Sequence, residues 1–392
     1  MGAMQVPADA LYGASTQRAV LNFPISGRPV PFEIVRAYAA IKRACARVNR
    51  DLDRLDEGRA AAIERACGQI AAGLPDHGGW ARHFPVDVYQ TGSGTSTNMN
   101  VNEVIANLVC LERGVPIGSS KDPAYLEAGG VHPNDHVNMG QSSNDTFPTA
   151  MHLAAATAIH ADLLPAVERA AAKLEAHASA WDRIVKIGRT HLQDATPIRL
   201  GQEFGGYAAQ LRQGRRRLGH ALDGLCELAL GGTAVGTGIN THPEFGARVA
   251  AELTRDLREQ ANSGGTGVSP VGDGLAFREA ANHFEAQHAK DAFAHASGAL
   301  KILAVSLTKI ASDIRLMGCG PRCGIGELRL PAIQPGSSIM PGKVNPVICE
   351  AVMMLACRVI GNDAAITAGA LGGVGSLLDL NVAMPMMADA MQ

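Results

Sequence analysis

Apolar residues recur with helical spacing over most of the chain. Leu300, Leu303, Leu307, Ile310 and Ile314 follow one another at alternating steps of three and four, one stripe of a long helix predicted from about 280 to 318. Ile302 and Val305 add apolar surface off that stripe, so this helix is expected to be covered on more than one side. Leu211, Leu218, Leu222 and Leu225 define a second helix over 200–230. A third begins after Asn144-Asp145 and reaches about Ser179, and a fourth covers 345–360. Helices of this length with few strand signals predict a mainly α protein built on an elongated central helical bundle. Two apolar faces per helix further suggest that subunits pack bundle against bundle.

Residues 1–139 read differently. They hold more Pro, Gly and Asn and shorter predicted helices at 33–50, 53–73 and 99–113. This stretch is expected to be a smaller N-terminal α-rich domain, with 140–392 as the long-helix bundle domain. The best strand candidate is Ile184–Ile187, a β-branched run ahead of a Gly-Arg-Thr-His turn. Residues 262–273 read as a flexible loop or linker.

Composition agrees with helix-on-helix packing. In 392 residues, 46% are hydrophobic and only 4% aromatic, so the interior must be built from Ala, Leu, Ile, Val and Met. A net charge of −2 and the lack of any basic run argue against a nucleic-acid or membrane-surface partner. The N-terminus carries no signal pattern, and no apolar run reads as long enough to span a bilayer. The eight cysteines show no framework or metal-ligand spacing, which predicts reduced, mostly buried thiols in a cytoplasmic protein, and no ligand set for a metal or an organic cofactor stands out.

Four polar, glycine-containing segments are candidates for chemistry. Thr91-Gly-Ser-Gly-Thr-Ser-Thr-Asn could cap the helix that follows it, or offer hydroxyls and backbone N–H groups to an anion at a helix N-terminus. Gln141-Ser-Ser-Asn-Asp heads a long helix and carries the same two readings. Gly188-Arg-Thr-His places a hydroxyl beside a histidine, the side chain that titrates nearest neutrality. Gly336-Ser-Ser-Ile-Met-Pro-Gly-Lys-Val-Asn-Pro346 sets two hydroxyls, an ammonium and an amide within one loop. A loop of that composition is either a connector or a cradle for a small anion.

Together these segments resemble the signatures of the fumarase/aspartase superfamily, and within it the class II fumarases. The resemblance covers the whole chain. It implies reversible hydration of fumarate to malate, with Ser337 and His191 as catalytic residues. Ser93, Gly94, Thr95, Ser142, Ser143, Asn144, Thr190, Ser338, Lys343, Val344 and Asn345 match substrate-contacting positions. Glu350 matches a residue that orients the histidine. His132, Pro133, Asn134 and Asp135 match a secondary dicarboxylate site, although Gly129 and Gly130 stand where some relatives are basic. The resemblance also implies a homotetramer with each site drawn from three subunits. It further implies a small C-terminal domain beyond residue 392 in relatives, which is expected to be absent from this chain.

Aspartase, eliminating ammonia from aspartate on the same fold, is the alternative. Ser143, Gly342 and Thr91-Gly-Ser-Gly-Thr95 stand where aspartases typically differ, and all three favour fumarase. Two readings of the base also stay open. Ser337 takes the C3 proton while His191 handles the water, or His191 with Glu350 activates a water that does so.

Overall fold

The structure is a computed structural model describing residues 2–263, 274–372, 377–379 and 381–392. The expected loop at 262–273 falls almost entirely outside the described residues. The protein is mainly α. Its described strands form only a two-residue parallel pair, Glu227–Leu228 with Arg278–Glu279, and an antiparallel hairpin, Val185–Thr190 with Gln193–Arg199.

Helix positions follow the periodicity, but the helix predicted from about 280 begins at Asp291 after a separate short helix, His283–His288, and the one predicted to end at 360 runs to Ala370. Phe32–Asp51, Glu57–Ala71 and Thr95–Glu112 form where three short helices are predicted. Leu200–Leu225, Asp291–Met317 and Val347–Ala370 are the long ones. The predicted third helix is interrupted: Ser143–Ala158 passes through a π-helical turn, Ile159–Leu163, into Leu164–Ala180. By length and composition this run could cross a membrane, which corrects the expectation that none could. Its most apolar window is 56% buried inside the protein, and it carries a buried Asp145 and His152, as a core helix does.

Two compact units emerge. Unit 1 comprises 1–158, 223–293 and 365–392; unit 2 comprises 159–222 and 294–364. This differs from the expected consecutive domains 1–139 and 140–392. The cause is packing: the Ser143–Ala158 and Phe245–Ser263 helices both lie against Phe32–Asp51. The Phe147 ring meets Tyr38 edge-on at 6.0 Å. Arg43 and Arg47 are bonded to Asp256 at 2.8 and 2.9 Å.

Unit 2 is a bundle tied by interhelix polar contacts. Arg212 bonds Glu168 and, at 2.7 Å, Glu175. The Tyr207 hydroxyl donates to Asp313 at 3.1 Å, and Ser297 donates to the buried Asp363 at 2.7 Å. Leu303, Ile310, Leu211, Leu218 and Leu222 face the interior. Ile302, Val305, Met354 and Leu355 stay exposed, the last two by about two-thirds of their surface.

Candidate functional site

Unit 1 carries one cluster of candidate residues, and its geometry begins with a glycine. Gly94 has φ +70°, and a Cβ there would sit 1.9 Å from the Phe147 ring. Only glycine lets this loop reach the Ser143–Ala158 helix so closely. Gly94 also occupies the N-cap of Thr95–Glu112 without any side-chain cap, so the capping reading of Ser93 and Thr95 is not realised. Their hydroxyls instead join a short chain. Ser93 and Thr95 meet at 2.9 Å, and Thr95 meets Ser143 at 2.7 Å. Two segments nearly fifty residues apart thus present three linked hydroxyls.

At the second segment the capping reading holds in part. The Ser142 hydroxyl accepts from the Asn144 N–H at 3.2 Å, and the Asp145 carboxylate accepts from the Ser142 N–H at 2.8 Å, a capping box. Asn144 donates its amide to the Ala234 carbonyl at 2.8 Å. Asp145 also accepts from the Thr233 N–H at 2.9 Å and the Gly231 N–H at 3.3 Å. Burial pushes its carboxyl up to about 7, against the three N–H donors that pull it down.

Behind these residues lies Lys42, fully buried, its ammonium donating to Asn98, Asn138 and Gln141 at 2.8, 2.8 and 2.9 Å. All three ammonium protons are used. Burial lowers its proton affinity to about 8, and Asp145 opposes that. Sequence reasoning missed Lys42 and Asp145. A signal existed: Lys42 sits on the apolar face of its helix with Tyr38 and Cys45, and Ser142…Asp145 has capping-box spacing.

The expected secondary-site residues His132, Pro133, Asn134 and Asp135 form the start of a π-helical turn. His132 Nδ1 accepts from the Asn134 and Asp135 N–H groups at 3.3 and 3.1 Å and lies 3.1 Å from the Asp135 carboxylate. That histidine nitrogen is already occupied as a cap.

Unit 2 supplies Thr190, His191, the 336–346 loop and Glu350. Thr190 pairs with Gln193 across a two-residue hairpin whose tip is His191-Leu192, at φ +53° and +60°. This is the twist a tight hairpin requires, reached without glycine, and costs on the order of 1–3 kcal/mol per residue. The strain holds an exposed His191 at the tip. The base of the hairpin is fixed: Lys186 bonds Glu203 and Glu327 at 2.6 and 2.7 Å, and Arg189 bonds Glu327 at 2.6 Å. Against burial, Arg189 and Lys186 hold the Glu327 carboxyl below its ordinary value.

In the 336–346 loop the Gly336 N–H donates to the Lys343 carbonyl at 2.8 Å, and Asn345 donates to the Gly336 carbonyl at 2.9 Å. A Cβ on Gly336 would lie 2.7 Å from both Lys343 and Asn345. The Ser337 hydroxyl accepts from the Ile339 and Met340 N–H groups, both at 3.3 Å, a miniature oxyanion cradle. Ser338, Lys343 and Val344 are exposed. Among the described residues, no hydrogen bond or ion pair engages the Lys343 ammonium, and none links His191 to Ser337 or Glu350 within the chain. No group of three or more His, Cys, Asp or Glu among the described residues is placed to hold a metal ion.

A helical scaffold carrying hydroxyls, amides and one ammonium in glycine-bounded loops is the equipment of a lyase that stabilises a carboxylate anion. A family model described as "Lyase" matches residues 2–361, and the chain belongs to that lyase family. Its similarity runs to the class II fumarases. It is 53% identical to the fumarate hydratase class II of Nitrosomonas europaea over 99% of this chain and 77% of that protein. It is 52% identical to that of Mycobacterium tuberculosis (strain H37Rv), over 99% and 74%. The crystal structure of class II fumarase from Schistosoma mansoni superposes with a TM-score of 0.91 at 40% identity, covering 98% of this chain and 78% of that one. A fumarate lyase:delta crystallin from Brucella melitensis gives 0.83 at 41% identity, covering 99% and 78%.

Proposed function

We propose that this protein is a class II fumarate hydratase, interconverting fumarate and (S)-malate through an aci-carboxylate intermediate. The observation that carries the reading is the Ser93–Thr95–Ser143 hydroxyl chain, together with near-full-length similarity to class II fumarases. Three hydroxyls and the Asn144 amide suit one carboxylate of a four-carbon dianion. In the dehydration direction, Ser337 removes the C3 proton of malate. The electron pair moves onto the adjacent carboxylate. The intermediate then collapses as the C2–O bond breaks, and His191 delivers a proton so that water leaves.

A serine is a weak base at its ordinary pKa and works only when its oxyanion is stabilised. The Ile339 and Met340 N–H groups, with the free Lys343 ammonium, supply that stabilisation. Thr190, Ser338, Lys343, Val344 and Asn345 complete the contacts, and Glu350 orients His191. The other assignment, with His191 and Glu350 activating a water as base, uses the same residues in exchanged roles. At His132–Asp135 a second dicarboxylate would find Nδ1 occupied and Asp135 repelling it, so binding there is weak.

Exposed Ile302, Val305, Met354 and Leu355 support a homotetramer in which bundles pack on one another. Ser93–Thr95, Thr190–His191 and Ser337–Asn345 then come to each site from three subunits of a cytoplasmic citric acid cycle enzyme. The test is a pair of assays on purified protein. Fumarate gives malate, and aspartate releases no ammonia; ammonia release without malate formation establishes the aspartase reading instead.

A further inference from the structure

The Gln141-Ser142-Ser143-Asn144 segment is gripped from both sides by side chains that cannot reach a ligand. On one side Lys42, with no exposed surface, donates to Gln141, Asn138 and Asn98. On the other, Asp145, equally buried, accepts from the Ser142 N–H through one oxygen and from the Thr233 and Gly231 N–H groups through the other. The same carboxylate therefore fixes two strips of backbone: the serine pair and the 231–234 turn, whose Ala234 carbonyl holds the Asn144 amide. Asn98, the third acceptor of Lys42, belongs to the helix that begins at Thr95.

We propose that Lys42 and Asp145 are positioning residues: a buried clamp of opposite charges that presets the Ser142–Asn144 segment and the Thr95 helix to receive a substrate carboxylate. Neither touches substrate. The inference rests on the dicarboxylate reading given above, but on no particular proton-transfer step. Its physics is preorganisation. Three hydroxyls and an amide facing an anion bind well only if they are already aligned, and small errors in alignment are costly. A buried single charge is costly unless balanced, and here the Lys42 and Asp145 charges each favour the ionised form of the other. Asn138 and Thr146 also hold the Gln141 and Ser142 carbonyls, at 3.1 and 2.7 Å, but Lys42 and Asp145 are the two buried ions among the groups that grip the segment.

The test compares Asp145→Asn with wild type in the full chain. It measures succinate affinity by calorimetry and fumarate KM and kcat by steady-state assay. The carboxamide keeps one accepting oxygen and turns its NH2 toward either the Ser142 N–H or the Thr233 and Gly231 N–H groups. The clamp predicts that succinate Kd and fumarate KM both rise by about tenfold or more, while kcat stays within about threefold. A purely structural loss would lower kcat through a smaller active fraction and leave Kd and KM in place. Unchanged Kd and KM in a folded variant overturn the proposal. Should Asp145→Asn not fold, Gln141→Met removes one Lys42 acceptor at similar volume. A severalfold rise in Kd then supports the clamp, and an unchanged Kd overturns it. Wild-type protein that binds succinate without hydrating fumarate refutes only the reaction assigned above. Failure of the wild type to bind succinate overturns the clamp as well.

Discussion

The two clusters of candidate residues, one in each unit, are built on opposite principles. In unit 1, Ser93, Thr95 and Ser143 are bonded in a chain, and buried Lys42, Asn98 and Asp145 with half-buried Asn138 and Gln141 stand behind them. In unit 2, His191 and Lys343 are exposed and, among the described residues, bonded to nothing at the side chain, and Ser337 meets its own loop. The first cluster is finished by its own fold. The second presents its candidate groups on rigid supports, a strained hairpin tip and a glycine-pinned loop, and under the proposed assembly their partners come from neighbouring subunits. Binding groups gain from rigidity, because alignment sets affinity. Proton-transfer groups must meet a substrate held by other residues, so their contacts form only in the complex.

The largest expected effect breaks the exposed cluster. Ser337→Ala and His191→Asn should each lower kcat by about 10²- to 10⁴-fold, as the loss of a positioned acid or base does. Solution mass and helical content should not change, because neither side chain holds up the fold. Near-wild-type turnover in either variant would remove that residue from the chemistry. Next comes Lys343→Met. It deletes the one ammonium in the loop and should cost about 10²- to 10³-fold in kcat, comparable to one lost oxyanion donor.

Acid probes the finished cluster. His152 stacks on Phe293 and bonds the Glu227 carbonyl at 2.9 Å, and burial lowers its pKa from 6.5 to about 4. Above pH 6.5 the ring is neutral whether folded or unfolded, and its contribution to stability is complete. As pH falls from 6.5 to about 4, only the unfolded state takes up the proton, which should remove about 3 kcal/mol. Asp145 acts with the opposite sign over much of this window, because its folded pKa is raised to about 7. The informative comparison is therefore with His152→Phe, in urea melts at several pH values. The variant should lose the acid-sensitive increment; identical pH slopes would show that His152 does not titrate as described. The smallest effect is expected for Thr95→Val, which cuts the hydroxyl chain at its centre. KM should rise by about 10- to 100-fold, the range for one hydrogen bond to a charged group, with kcat nearly unchanged.

The contrast between the clusters also explains what could be read from the sequence. The Leu300–Ile314 stripe set a helix because a repeat of 3.6 is a local property, and Asp291–Met317 follows it. The four polar segments stood out because loops of Gly, Ser, Thr and Asn have distinctive composition. The assignment of roles within them came from family resemblance, since composition alone left capping and binding equally open at Ser142. Domain boundaries were not legible. Whether Ser143–Ala158 packs on Phe32–Asp51 depends on long-range contacts such as Tyr38 with Phe147, which no local pattern encodes. Lys42 was hidden for a related reason: a lysine usually lies in solvent, and only its position beside Tyr38 and Cys45 hinted at burial.

The claim that the exposed cluster is completed by another subunit is tested most directly by complementation. Ser337→Ala and His191→Asn proteins, each nearly inactive, are mixed, dissociated and reassembled, and fumarate hydration is measured. If Ser337 and His191 reach each site from different subunits, mixed assemblies contain intact sites and a clear fraction of wild-type turnover returns. If turnover stays at the level of the separate variants in verified mixed tetramers, both residues come from one chain and the account is contradicted.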